Sequence, residues 1–168
     1  MTTSATAPAQ QGAVDGATLR GFMRRWATGV AVVTGSRDGR PAGCTVNAFT
    51  SVSLNPPLLL VSLATTSHTL ASIIENGVFG VNLLAWPQRH LVAQFAAPAE
   101  DRFAGVDFRL VAGAPVIEGA MAAAVCAVTQ TIAAADHVLV LGAPQWCDAG
   151  EGEDPALFFG GAFVRLGF

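Results

Sequence analysis

The chain has 168 residues, of which 52% are hydrophobic and only 12% are charged, and its formal net charge is −3. A chain this apolar is not intrinsically disordered over most of its length, and its length fits a single domain. All nine basic residues are Arg, so the composition excludes a Walker A phosphate loop and Schiff-base catalysis by Lys, and the acidic balance argues against nucleic-acid binding.

The chain begins with a segment that differs in composition from the rest. Residues 1–14 are small, polar and rich in Ala and Pro, which predicts a disordered tail followed by one domain over residues 15–168. The domain opens with apolar residues at helical spacing, and these are Leu19, Phe22, Met23, Trp26 and Ala27. We expect this helix to be capped by Asp15 or Thr18 and to end at Gly29.

Short strands dominate the remainder, with turn residues between most of them. Asp38-Gly39 is a hairpin signal, and the apolar run 58–63 predicts a strand buried on both faces. Two short helices are expected, one from Ser67 to the stop signal Asn76-Gly77 and one with Pro87 in its first turn. The predicted strands are 30–34, 43–49, 50–54, 58–63, 78–84, 125–132, 137–141 and 157–166, and residues 96–115 are expected to be irregular. This pattern predicts a mainly β fold, a small β-barrel with a few peripheral helices.

Two groups of polar residues are candidates for chemistry. Ser67-His68-Thr69 lies where a helix begins, so its hydroxyls and free N–H groups could hold a phosphate, or they could simply cap the helix. His137 follows Asp136 and precedes an apolar strand, so it either reaches a ligand at the mouth of the barrel or packs against the strand end. No spacing of His, Cys, Asp or Glu predicts a metal site, and no G-x-S-x-G elbow predicts a hydrolase.

The cysteines and the N-terminal residues indicate where in the cell the protein is expected. Cys44, Cys126 and Cys147 form no CxxC pair, which is typical of small, buried thiols in a reducing cytoplasm. The first basic residue is Arg20, so we expect no targeting signal, no membrane span and a cytoplasmic protein. The scarcity of charge favours an oligomer that covers apolar surface, and we expect a homodimer.

From about residue 22 to residue 166 the chain resembles the short flavin reductases that serve as the small component of two-component flavin-dependent monooxygenases. The resemblance rests on motifs that occur in the order typical of that family. They are 27–34 (ATGVAVVT), 43–57 (GCTVNAFTSVSLNPP), 67–69 (SHT), 77–84 (GVFGVNLL), 95–96 (FA) with 101–103 (DRF), 136–137 (DH) and 157–160 (LFFG).

This resemblance implies an FMN-binding split β-barrel, usually a homodimer, that works as an NAD(P)H:flavin oxidoreductase. Hydride would pass from C4 of NADH or NADPH to N5 of FMN or FAD, and the reduced flavin would leave for a separate oxygenase. One alternative is a non-catalytic flavin-binding protein of the same barrel, used for storage or electron transfer. A weaker alternative is a barrel that binds another flat cofactor, like the pyridoxamine-phosphate-oxidase-like proteins.

The resemblance also implies roles for individual residues. The expected flavin contacts are Thr45, Val46, Asn47, Ala48, Ser62, Ser67 and Thr69. The first four would run along the isoalloxazine edge with backbone donors near O4 and N5, and Asn47 would meet the pyrimidine end. The three hydroxyl residues after them would lie near the ribityl phosphate. His137 would face the nicotinamide side as the catalytic residue, in a segment where this chain has Ala135-Asp136-His137 and the family usually has Gly-Asp-His.

Overall fold

A computed structural model describes residues 13–150 and 154–166 of the chain. The predicted tail over residues 1–14 lies outside the described residues, apart from residues 13 and 14. The helices are α1 (Gly16–Met23), α2 (His68–Asn76) and α3 (Arg89–Ala96), and Trp86–Gln88 form a single 3-10 turn before α3. The strands are β1 (Thr28–Gly29), β2 (Ala31–Arg37), β3 (Arg40–Val46), β4 (Phe49–Leu54), β5 (Pro57–Ala64), β6 (Val78–Leu83), β7 (Phe108–Val111), β8 (Ala114–Ile117), β9 (Ala122–Ala134), β10 (His137–Ala149), β11 (Leu157–Phe159) and β12 (Ala162–Val164).

Seven strands form the main sheet in the order β3-β2-β6-β9-β10-β5-β4, and each neighbouring pair is antiparallel. The edge strands β3 and β4 follow each other in the chain and are separated only by residues 47 and 48. So short a connection brings the two edges of the sheet together, and the sheet therefore curves into a barrel with a split between β3 and β4. The predicted fold class, a mainly β split barrel with a few helices, is confirmed.

Strand β2 is buried on both faces and separates two apolar cores. Ala31 and Val33 point to one side, where they pack in a cluster with Val61, Phe79 and other barrel residues. Val32 points to the other side, into a cluster with residues of α3 and of the segment that follows it. The sequence-based prediction gave this double burial to residues 58–63 instead. That prediction is wrong because β5 alternates: its inner residues are buried, and its outer face is partly exposed.

The first helix is shorter than its apolar pattern predicts. Asp15 caps it as expected, since its Oδ1 accepts from the N–H of Thr18 at 2.7 Å. The helix ends at Met23, before Gly29, because Thr28 and Gly29 pair with strand β11. None of its residues is buried within the chain, so its apolar face lies open. No helix in the described parts of the chain has the length and apolar character needed to cross a membrane.

Hairpins account for most of the other differences between the predicted strands and the observed ones. The region predicted to be irregular, residues 96–115, contains β7 and the start of β8, which are joined by Ala112 and Gly113, both with positive φ. The predicted last strand is a hairpin, because Gly160 and Gly161 adopt φ of 66° and 94° and turn the chain back. Strands β9 and β10 are each 13 residues long and extend well beyond the predicted runs. The Asp38-Gly39 turn between β2 and β3 is confirmed.

Candidate functional site

A cavity of about 460 Å³ lies where the β3–β4 connection approaches the ends of β5 and β10. Seven of the eight residues predicted for the site line it, and these are Thr45, Val46, Asn47, Ala48, Ser62, Ser67 and His137. They come from four separate segments of the chain. The structure therefore brings nearly the whole predicted set into one place, which we call the main cavity.

Strand register explains how β5 and β10 reach the main cavity. Val61 and Leu63 of β5 are buried in the barrel core, so the alternating Ser62 and Ala64 lie on the other face. Ala64 pairs directly with His137 on β10. Directly opposite residues in antiparallel strands share a face, so Ser62, Ala64 and His137 line the cavity together.

The β3–β4 connection supplies backbone groups to the same cavity. Asn47 and Ala48 are exposed and belong to neither strand. The backbone hydrogen bond found for this pair joins the carbonyl oxygen of Ala48 to the N–H of Ser62, at 3.0 Å. Among the described residues, the N–H groups of Asn47 and Ala48 therefore have no backbone partner and can donate to a bound molecule.

Two of the predicted hydroxyl side chains already have structural tasks, and a third, that of Thr69, lies outside the main cavity. The Oγ1 of Thr45 donates to the carbonyl oxygen of Val92 at 2.6 Å, which ties β3 to α3. The Oγ of Ser67 caps α2 by accepting from the N–H of Leu70 at 3.3 Å. Thr69 is only 1% exposed and lies outside the main cavity. It follows His68 in α2, and at that position on the helix its side chain points into the protein.

The turn that carries His137 is held by polar contacts. The Nδ1 of His137 lies 2.8 Å from the Oδ1 of Asp136, and the hydrogen bond to His137 lowers the pKa of that carboxyl group. The carbonyl oxygen of Asp136 accepts from the N–H of Thr65 at 2.9 Å, which joins the turn to the end of β5. With Nδ1 engaged by the carboxylate, the second ring nitrogen of His137 has no hydrogen-bond partner among the described residues and can meet a ligand.

Arg102 is a residue of the main cavity that the predicted set does not include. Its Nη1 donates to the carbonyl oxygen of Gly43 at 3.0 Å and its Nε to that of Ala97 at 2.9 Å. Both partners are neutral, and Arg102 forms no ion pair with any carboxylate in the described residues. The 101–103 motif contained this residue, but its position beside residue 43 depends on the fold.

Cys44 also lines the main cavity, beside Thr45. Burial raises the pKa of the Cys44 thiol, and this effect outweighs the hydrogen bonds from Thr69 and Ser67 that act in the opposite direction. The thiol therefore stays neutral near pH 7, which makes it a poor nucleophile and a small packing group.

A smaller cavity of about 130 Å³ adjoins the main cavity. It is lined by Pro41, Ala42, Gly43, His68, Thr69, Ala99, Glu100, Asp101, Arg102 and Phe103. His68 and Arg102 line both cavities, so the two are neighbours across these side chains.

Comparisons with known proteins by sequence and by structure all indicate the same family. Residues 23–167 match the family described as flavin reductase like domain. "Probable flavin reductase" of Rhizobium meliloti (strain 1021) is 45% identical over 76% of this chain, which spans only 42% of the length of that relative. The HsaB reductase subunit of a flavin-dependent monooxygenase from Rhodococcus jostii (strain RHA1) is 32% identical over 92% of this chain and 80% of its own length. The structure of an NADH:FAD oxidoreductase from Streptomyces globisporus C-1027, in complex with NAD and FAD fragments, superposes with a TM-score of 0.86 at 34% identity and covers 91% of this chain and 93% of its own.

Proposed function

Because the chain belongs to the flavin reductase-like family, we propose that it oxidises NADH or NADPH, reduces FMN or FAD, and supplies the reduced flavin to a separate monooxygenase. The sequence-based prediction of the family and of an oxidoreductase is confirmed by the relatives. The bound pair supplies the chemistry, which is hydride transfer from nicotinamide C4 to flavin N5. The observation that carries the proposal is the convergence of seven predicted residues on one cavity.

The residues of the main cavity fit a flavin. Its volume of about 460 Å³ lies within the range of roughly 300–1,000 Å³ typical of small-molecule sites. The N–H groups of Asn47 and Ala48 would donate to the polar edge of the ring system, and the amide of Asn47 would meet its pyrimidine end. The guanidinium of Arg102 and the start of α2 at Ser67 would hold the phosphate, a role for which an Arg side chain and helical N–H groups are well suited.

His137 is proposed to act on the nicotinamide side. It lies at the mouth of the main cavity, its side chain is 45% exposed, and Asp136 fixes its ring through Nδ1. A ring held in this way can donate or accept through its other nitrogen, and a nearby donor favours the negative charge that develops on a reduced flavin. Its contribution is therefore to orientation and charge stabilisation.

We also propose a homodimer and an oxygenase partner. The open apolar face of α1 supports self-association, because monomers seldom leave such a face in water. The similarity to a monooxygenase reductase subunit supports the oxygenase partner. A cytoplasmic location stays a prediction from the sequence, supported by the free thiols of Cys44, Cys126 and Cys147. The prediction that all three thiols are buried is wrong, because only Cys126 is buried, whereas Cys44 is half-buried and Cys147 is exposed.

The test is loss of nicotinamide absorbance by the purified protein with riboflavin, FMN or FAD added. We expect oxidation that depends on added flavin. If no flavin raises the rate above the flavin-free blank while one of them still binds, the protein is a flavin carrier and the reductase proposal is wrong.

A further inference from the structure

The turn between β9 and β10, which leads into His137, has a strained backbone. It consists of Ala135 and Asp136 alone, because Ala134 and His137 on either side of it are paired. Of the two turn residues only Ala135 has positive φ, at 54°. Positive φ at the first of two turn residues is the pattern of a type II′ turn, which favours Gly there. A residue with a Cβ keeps this conformation only where surrounding contacts hold it.

Thr65 supplies such contacts from outside the hairpin. Its backbone N–H and its Oγ1 both donate to the carbonyl oxygen of Asp136, at 2.9 and 3.2 Å. Thr65 follows Ala64, the residue of β5 that pairs with His137. The two hydrogen bonds therefore extend the contact between β5 and β10 by one residue and attach the turn to the end of β5.

The side chain of Thr65 does not itself line the main cavity. Thr66 and Ser67 are lining residues, whereas Thr65 is not. Asp136, which Thr65 holds, contacts the imidazole of His137, with its Oδ1 at 2.8 Å from Nδ1. A change at Thr65 therefore reaches the cavity through the turn and through the ring that follows it.

We propose that Thr65 is a positioning residue for His137: its hydroxyl holds the turn so that the imidazole keeps its orientation on the nicotinamide side. This inference rests on the proposed function and adds to it a residue outside the cavity. Misplacement of a group by about 1 Å can lower the rate of an enzymatic step about 100-fold, so a partial loss of this support has a measurable effect.

Thr65→Val tests the role of the hydroxyl, because it removes the Oγ1 donor and keeps the branched shape and the backbone N–H. We expect the turnover number to fall about fivefold, the equivalent of about 1 kcal/mol, and the dissociation constants of FMN and FAD to stay unchanged. Thr65→Ser keeps a hydroxyl and should restore the wild-type turnover number. Steady-state oxidation of NADH and flavin titration on the same preparations measure these quantities, with rates expressed per flavin-binding molecule so that an unfolded fraction does not count.

Thr129→Val is the matched control. The Oγ1 of Thr129, in the same hairpin, also donates to a carbonyl oxygen at 3.2 Å, that of Leu141. Thr129 does not line the main cavity and does not contact the turn. This variant loses a hydrogen bond of the same length and should keep the wild-type turnover number.

The combination of Thr65→Val with His137→Ala tests whether Thr65 acts through His137. We expect the double variant to turn over at the rate of His137→Ala alone, because the ring that Thr65 positions is then absent. A wild-type rate in Thr65→Val, an equal loss in Thr129→Val, or the same fivefold loss in both backgrounds would overturn the inference. These outcomes leave the proposed function standing, whereas a wild type that oxidises no NADH with any added flavin removes the proposed function itself.

Discussion

His137 is the residue whose replacement best distinguishes a role in the reaction from a role in packing. It lines the main cavity but is not one of the groups proposed to hold the phosphate, which are Arg102 and the start of α2. His137→Ala should therefore lower the turnover number by about 100- to 1,000-fold, the usual cost of losing a donor aimed at developing charge, and change the flavin dissociation constant little. Steady-state kinetics and flavin titration on one preparation measure both quantities.

Asp136→Asn is the control for His137→Ala. It keeps the imidazole and removes the carboxylate that lies 2.8 Å from Nδ1, so we expect a smaller loss of turnover. If His137→Ala lowers the melting temperature and leaves the rate per folded molecule unchanged, His137 is a packing residue and has no part in the reaction.

Burial of the Cys126 thiol predicts a loss of stability in alkaline solution. Desolvation raises the pKa of Cys126 from 9.0 to about 12, with a smaller contribution from Cys147. A raised pKa means that the folded state keeps the proton while the unfolded state loses it. The thiol's contribution to the free energy of unfolding is therefore fully present below pH 9 and decreases by about 1.4 kcal/mol per pH unit between pH 9 and pH 12.

Urea unfolding of the wild type and of Cys126→Ala at pH 8, 9 and 10 measures this effect. The free energies of unfolding of the two proteins should converge above pH 9, since only the wild type carries this thiol. A difference that stays constant from pH 8 to pH 10 would show that Cys126 ionises equally in both states.

At the scale of single elements, the hairpin of β9 and β10 contains a strained residue next to the site. Ala135 has φ of +54°, a left-handed conformation that suits Gly and costs a residue with a Cβ about 1–2 kcal/mol. Ala135→Gly removes this strain but adds freedom to the unfolded chain, so we expect a net gain of about 0.5–1 kcal/mol in the free energy of unfolding. Thermal unfolding should show a rise of about 2–4 °C per kcal/mol gained.

Ala134→Gly provides the comparison for this turn. Ala134 is the last residue of β9 and is not among the residues with positive φ, so Gly there should only lower stability. Equal effects of the two replacements would mean that the conformation of Ala135 stores no strain.

The elements themselves were predictable where a local signal exists. Asp38-Gly39, the cap at Ser67 and the stop at Gly77 all stand where the sequence places them, because each satisfies backbone groups close by in the chain. The β7–β8 hairpin was missed because Ala112 carries no turn signal, although its φ is +46°. The end of α1 was missed because it depends on pairing of Thr28 with the distant Phe158.

In the candidate site too, the residues that family motifs mark were predictable, whereas contacts between distant segments were not. Family motifs indicated Thr45–Ala48, Ser62, Ser67 and His137, and these line one cavity. They did not reveal that the hydroxyl of Thr45 is used by α3, nor that Thr69 is buried, because both facts follow from packing between separate elements. The importance of Arg102 likewise depends on a contact with Gly43, 59 residues away in the chain.

At the scale of the whole molecule, the position of the site follows from the topology of the sheet. Strands β3 and β4 are the two edges of a seven-stranded sheet and are joined by residues 47 and 48 alone. Edge strands have unpaired backbone groups, which must be covered or used. Here the groups at the split face the main cavity, so the place where the barrel stays open is also the place with free donors for a ligand.

The open apolar face of α1 leads to the last prediction, which concerns assembly. Phe22 is 71% exposed and Trp26 is 65% exposed, and Trp26 borders a further cavity lined by Phe49 and Leu83. Such a contiguous apolar surface favours burial against a second copy of the chain, so light scattering at micromolar concentration should give about twice the 17.2 kDa of one chain. Trp26→Glu places a charge in this surface and should shift the mass to that of a monomer, whereas Leu110→Glu, on the separate β7–β8 sheet, should leave the dimer intact. A wild-type mass near 17.2 kDa would contradict the dimer, and dissociation by both variants would place the interface elsewhere than α1.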